Sequence, residues 1–269
     1  MKTNAIVRII IYSLVLLLLT GILLGGLEIG SFVFEFSDGN TYTSGDGSAD
    51  AAAIRNLDIE WASGAVTIET ADVDAIIFRE TGGTEQNQMA YAVSGDTLIL
   101  RYQKPAFRLG FQSVSAKALT VQVPKDWTCQ QLEVDVASAG VNIRSMSAKT
   151  VRADCASGTI KFIQCSVSEL EIDTASGDIQ YSGTLNTLEL DGASADFIGV
   201  FQNVPDSMDM DTASGDLDIT LPADCGYQVD LDAASGDFYS DFGGHSYGDG
   251  HCKIEVDTAS GDLTIRKGE

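Results

Sequence analysis

The feature that most constrains this chain is a short acidic phrase that keeps returning. Leu170 to Ile179 reads LEIDTASGDI, Met208 to Leu217 reads MDMDTASGDL, and Ile254 to Leu263 reads IEVDTASGDL. Looser copies bring the Ala-Ser cores to eight, at Ser63, Ser138, Ser157, Ser176, Ser194, Ser214, Ser235 and Ser260. From Ser138 onward neighbouring cores stand roughly 20 residues apart, the length of one solenoid coil and too short for a unit that buries a core of its own. The widest of these spacings runs from Ser235 to Ser260. Each phrase is therefore predicted to be one rung of a stack.

Within a rung the pattern has period two. Leu170 and Ile172 alternate with Glu171 and Asp173, and the alternation resumes after the turn with Ile179 and Tyr181 about Gln180. This reads as strand, tight turn, strand. Glycine accepts positive φ, and Asp and Ser side chains satisfy nearby backbone N–H groups, so Ser-Gly-Asp suits the turn. No segment after residue 35 carries a sustained helical period. The expected fold is all-β, a single-stranded β-helix-like solenoid of roughly 19-residue rungs, preceded by one transmembrane helix.

Stacking at about 4.8 Å turns like positions into ladders. Taken in chain order, Leu132, Val151, Leu170, Leu188, Met208, Val229 and Ile254 form one apolar ladder, and Val134, Ala153, Ile172, Leu190, Met210, Leu231 and Val256 the next. The long stretch between Ser63 and Ser138 is less regular but contains AIIFRET, AYAVSGDTLILRY and ALTVQVP. It suggests wider coils or an added sheet at the N-terminal end, with LDIEWASGAVTI as the cap that protects the edge of the stack. Pro124 and Pro222 each follow an apolar strand, which implies two equivalent corners.

The order of an early LDIEWASGAVTI, a GDTLILRY hairpin, an aliphatic strand ending in VP, and serial D-x-A-S-G-D rungs resembles the bacterial putative-adhesin family of β-strand-repeat envelope proteins. The resemblance covers roughly residues 53 to 267. It implies a β-helix-like column and, by association, adhesion, and it carries no catalytic residue across.

Lys2 and Arg8 precede Ile9 to Leu27, an uninterrupted run without a charge. That is about the length needed to cross a bilayer, and no A-x-A cleavage site follows. With the basic residues on the short side, residues 1–8 are expected in the cytoplasm, 9–27 as an uncleaved anchor, and the remainder outside the cell membrane. Residues 28–52, rich in Gly, Ser and Asp, read as a flexible spacer to a column over 53–267.

Net charge is −23 for the whole chain, and beyond the anchor 14 basic residues face 39 acidic ones. Such a surface repels nucleic acid and favours cations. The acid is also ordered. Five residues before each core serine stand Asp58, Glu133, Arg152, Glu171, Glu189, Asp209, Asp230 and Glu255; three before stand Glu60, Asp135, Asp154, Asp173, Asp191, Asp211, Asp232 and Asp257. The stack predicts two carboxylate ladders on one face. Two unit charges at about 4.8 Å repel by about 0.9 kcal/mol in water, so the ladders are tolerable but costly. One reading is a solvated face that blocks edge pairing; the other is weak, collective binding of divalent cations or a cationic peptide. A flat ladder offers too few oxygens for a calcium cage, which needs about six to eight.

Gly244-His245-Ser246-Tyr247-Gly248 matches a nucleophile elbow, which requires a strand before its serine and a helix after it. Here a turn and a strand follow, so the motif reads as a Gly-rich loop within the longest spacing. His245, Asp249, His251 and Cys252 share that loop without a recognised zinc spacing. The eight serines cannot be nucleophiles with only two histidines present. Five cysteines are an odd number for an exported protein; Cys155 occupies a slot held by Thr174, Thr212 and Thr258 and is expected to pack there as a small side chain. The sequence assigns no catalytic, metal or cofactor residue. It points to a non-enzymatic, membrane-anchored structural or interaction protein of the cell envelope, whose partner is an envelope component or a cationic peptide. The alternative is an envelope-stress sensor or decoy that collects cationic peptides or divalent cations on its acidic ladder.

Overall fold

The computed structural model describes residues 39–103 and 117–268. The expected cytoplasmic segment, the 9–27 anchor and the first part of the spacer lie outside the described residues. No helix among the described residues is long and apolar enough to cross a membrane. The described chain is all-β, with nineteen strands.

Each rung bends at its Ala-Ser core, and the two halves join separate parallel ladders. Before the bend, Leu57, Leu132, Val151, Leu170, Leu188 and Met208 are successive register partners, and all are buried. After it, Val66, Val141, Ile160, Ile179, Phe197 and Leu217 follow one another in the same way. A shorter run of Cys129, Ala148, Val167 and Leu185 closes the coil. Burying one large aliphatic side chain contributes about 1.5–3 kcal/mol at most. Ordering each residue costs about 1–2 kcal/mol in backbone entropy alone. A lone rung therefore cannot fold, and the apolar ladders make stacking obligatory.

Chain order holds only as far as the Ser214 rung. Met208 and Met210 pair with Ile254 and Val256, and the other edge of that strand carries Val229 and Leu231. The second halves agree: Leu217 pairs with Leu263, and Leu263 with Phe238. The C-terminal rung is thus inserted between the Ser214 and Ser235 rungs, which corrects the sequential order expected from the sequence. An interior rung is covered on both sides and needs two well-formed halves. Cys252–Ser260 and Leu263–Lys267 supply them, whereas the second half of the Ser235 rung is only Phe238–Ser240 before a glycine-rich loop. That loop carries the chain round the outer edge, with Ser246–Tyr247 antiparallel to Tyr227 and Gln228, before it re-enters the stack.

The N-terminal end also departs from expectation. Ser63 and Ser138 are direct register partners despite the long segment between them, so the first copy is an interior rung and not a cap. The cap is built from the intervening chain. Thr97–Arg101 and Ala118–Pro124 lie parallel to the two halves of Asn56–Ala71. Ala90–Ser94 and Ile76–Thr81 then cover them antiparallel, the added sheet that the sequence allowed. The outermost strands are Thr43–Ser44 and Gly47–Ala49, which lie within the stretch expected to be spacer. Strands this short leave little edge for another chain to pair with.

Lys117 locks this cap. Its ammonium, 1% exposed, sits 2.9 Å from Glu80 Oε2 and donates to the carbonyls of Asn87 (2.6 Å) and Gln103 (3.1 Å), above the ring of Tyr102 at 4.2 Å. A buried charge removed from water needs this many partners. The two prolines do mark equivalent corners, since Pro124 O accepts from Trp127 N and Pro222 O from Cys225 N, both at 3.1 Å.

The inserted rung can be checked by cross-linking. Cysteines replacing Ser214 and Ser260 sit on adjacent strands, within disulfide reach of about 4.4–6.8 Å between Cα atoms, whereas Ser214 and Ser235 are roughly twice the 4.8 Å spacing apart. Ser214→Cys/Ser260→Cys is expected to oxidise readily and Ser214→Cys/Ser235→Cys to stay reduced, the native cysteines all being buried. The reverse result would restore the sequential order.

Candidate functional surface: the stacked carboxylates

The recurring Ser-Gly-Asp is first of all a corner. Gly177 has φ of 142°, and a Cβ there would lie 1.9 Å from the carbonyl oxygen of Gly158 one rung away. At this φ and this approach only glycine fits; the Ser138 and Ser194 corners carry Ala139 and Ala195, neither of which has a positive φ. The aspartate ties the last four corners of the stack to one another. Asp196 Oδ1 accepts from Asp216 N (2.9 Å), Asp216 Oδ1 from Asp262 N (3.0 Å), and Asp262 Oδ1 from Asp237 N (2.8 Å). These bonds follow the same inserted order as the strands. They explain why the phrase recurs without assigning it any chemistry, and the linked corner carboxylates were not foreseen from the sequence.

On the outer face before the corner, the second predicted ladder is continuous. Glu60, Asp135, Asp154, Asp173, Asp191, Asp211, Asp257 and Asp232 are successive register partners, with the last two in the inserted order. The first ladder is partly neutralised, and so is the N-terminal end of the second. Arg152 Nη2 lies 2.6 Å from Glu171 Oε2, and Arg101, only 7% exposed, places Nη2 2.6 Å from Asp58 Oδ2 and 3.3 Å from Glu60. Arg101 ends the strand beside the Ser63 rung, and nothing in its sequence setting signals that position.

Packing like charge on like charge favours protons. Burial raises the carboxyl of Asp135 from the ordinary 3.8 to about 7, helped by a hydrogen bond with Asp154 and by the charges of Asp154, Glu133 and Glu60. Oδ1 of Asp154, beside Asp135 on the next rung, is buried and has no hydrogen-bond partner among the described residues. Asp173 is pushed to about 6 by burial and then by Asp154 and Asp191, and Asp211 to about 6 by burial and then by Asp257 and Asp209. Asp191 and Glu189 rise for the same reasons. Asp173 and Asp191 keep surface in contact with solvent, so neighbouring chain and neighbouring charge both contribute there.

The residues of the Gly-rich loop do not converge. Ser246 lies in a two-residue strand with no helix after it. His245 stacks on Phe238 with centroids 4.3 Å apart, His251 Nε2 is 3.0 Å from Asp206, and Cys252 is fully buried. No cluster of three metal-ligating side chains occurs among the described residues. The loop instead packs on the start of the Ser235 rung, with Tyr227, Phe242 and Tyr247 packed together and Tyr227 OH bonded to Ser240 Oγ (2.6 Å) and donating to Gly244 O (2.9 Å). All five cysteines are free and buried, and burial pushes the thiols of Cys129 and Cys252 up to about 12. Cys155 packs in the threonine slot beside Thr174, as expected.

Residues 54–266 match the family described as Toastrack DUF4097. The chain belongs to that family. No curated protein matches it. Among solved structures it is similar to a putative adhesin from Bacteroides fragilis NCTC 9343, at 14% identity and a TM-score of 0.40 over 85% of this chain and 97% of that one. It is also similar to a putative cell adhesion protein from Clostridium sporogenes ATCC 15579, at 12% and 0.34 over 85% and 100%. A third is a putative lipid binding protein from Parabacteroides distasonis ATCC 8503, at 14% and 0.35 over 86% and 98%. Similarities this low leave the function of this Toastrack chain to its own residues.

The ladder fixes how stability varies with pH. Asp135, Asp173 and Asp211 have folded values raised above the unfolded one, so their favourable contribution is complete below about pH 4 and is lost as pH rises through about 6 to 7. The melting temperature is expected to be higher at pH 5 than at pH 8, and the triple change of these residues to asparagine is expected to flatten that slope. A melting temperature that falls on acidification from pH 8 to pH 5 would show that the stacked carboxylates do not govern the column's stability.

Proposed function

We propose that this protein is a non-enzymatic structural or interaction protein of the cell envelope, held to the membrane by residues 9–27 with its column outside the cell. The observation that carries this reading is the unbroken row of eight carboxylates held in register along a rigid stack. A regular array of one sign produces a field of several kT and draws in cations with little dependence on their shape. The placement is supported by the uncharged run after Lys2 and Arg8. Protease added to intact, wall-permeabilised cells is expected to cut the column's loops, such as 241–250, and to spare the N-terminus. Cleavage only after membrane lysis would refute the topology.

A second reading is favoured by the raised carboxyls. A face that holds protons reluctantly shed at neutral pH releases strain when a cationic peptide or a divalent cation neutralises it, which suits a sensor or decoy for envelope stress. Weak binding of a polycationic peptide is expected, falling steeply as salt rises. Asp173→Asn, Asp191→Asn and Asp211→Asn together are expected to weaken that binding several-fold, and Ser246→Ala to leave it unchanged. Binding insensitive to salt and to the triple change would remove the ladder from the function.

A further inference from the structure

The two ends of the column are finished differently. The N-terminal end is covered by antiparallel strands, whereas the Ser235 rung is the last parallel rung among the described residues. The Gly-rich loop covers only the start of its edge: Ser246 and Tyr247 pair with Gln228 and Tyr227, and Val229 N donates to His245 O at 2.7 Å. Beyond Val229 no strand among the described residues pairs with this edge. Leu231 and Phe238 are half-buried although the residues they stack on, Val256 and Leu263, are buried, and the corner from Ala234 to Asp237 is exposed.

The corner bonds run in one direction along the stack. Asp196, Asp216 and Asp262 each accept the amide of the rung beyond, and Gly177, Gly215 and Gly261 donate outward to the serine carbonyl of that rung, Gly215 to Ser260 and Gly261 to Ser235 both at 3.3 Å. At the last rung, the Asp237 carboxylate and the Gly236 N–H face the place where a further corner would sit. The edge therefore offers a backbone template, two apolar seats and a matched donor and acceptor. Asp230 projects outward here with Glu255 beside it on the next strand. A second copy of the chain brings the same acids to the same place and is repelled. A basic strand is not, so one set of charges both guards the edge and selects its occupant.

We propose that the open edge of the Ser235 rung takes up an extended strand of another protein, alternating basic and apolar residues, as an added rung. Backbone pairing supplies affinity and the alternate side chains supply specificity, as in other cases of strand addition. This rests on reading the protein as an interaction protein, and it replaces diffuse attraction along the ladder with one docking position.

The test titrates the full-length chain in detergent with three fluorescent ten-residue probes: alternating lysine and valine, the same peptide N-methylated at every valine, and a block peptide of five lysines then five valines. The alternating probe is expected to bind at least tenfold more tightly than the other two and to protect amides of residues 230–237 from hydrogen exchange. Leu231→Lys and, on the outward face where the core is untouched, Asp230→Lys are each expected to weaken it at least tenfold. Equal binding of all three probes would overturn the edge proposal while leaving attraction by the ladder in place. Binding by none would overturn both, and protection confined to the Asp173 to Asp211 rungs would assign the contact to the ladder alone.

Discussion

Everything in this column depends on the close parallel registration of one rung on the next. At a spacing of about 4.8 Å, each residue of a rung stands on the equivalent residue of its neighbour. The corner shows how strict that is, because a methyl group on Gly177 would lie 1.9 Å from the carbonyl of Gly158. Glycine at the bend and aspartate after it are the residues that let the backbone cross and then tie it to the rung beyond. The repeated phrase is thus the cost of turning a corner in the same place many times.

The same registration acts on both faces with opposite sign. Inward, it puts Leu170 on Val151 and Ile172 on Ala153, and dry stacking of like on like is favourable. Outward, it puts Asp173 on Asp154 and Asp191 on Asp173, and stacking of like on like is a repulsion that the molecule relieves by holding protons. Where a cation is available within the chain, it is used: Arg152 interrupts one row, and Arg101 closes the N-terminal end of both, through Asp58 and Glu60. Beyond Glu60 the neighbouring row has no such cation among the described residues, which makes it the part of the surface most in need of an external positive charge.

A stack of parallel rungs has no natural end, and the chain supplies two different ones. At the N-terminal side, strand direction reverses and the outermost strands shrink to two and three residues, with Lys117 and Glu80 buried beneath. At the other side, the last part of the chain turns back inward, so the terminal rung is one that came earlier in sequence. A C-terminal segment held between two rungs is protected from fraying on both edges, and the exposed position goes to the rung least able to form a complete coil.

The sequence by itself determined the all-β class, the rung, its register and the two faces, because these are local. Period-two alternation is written into each copy and a corner glycine into most of them, and Ser157, Ser176, Ser194 and Ser214 stand where equal spacing puts them. Only the tertiary structure decided which rung neighbours which. Ser63 meets Ser138 across a long intervening segment, and the Ser260 rung displaces the Ser235 rung from its place beside Ser214. Near-identical rungs have near-identical edges, so their order is set by where the longer connections can run and by which rung can bear being last, and both are properties of the assembled column.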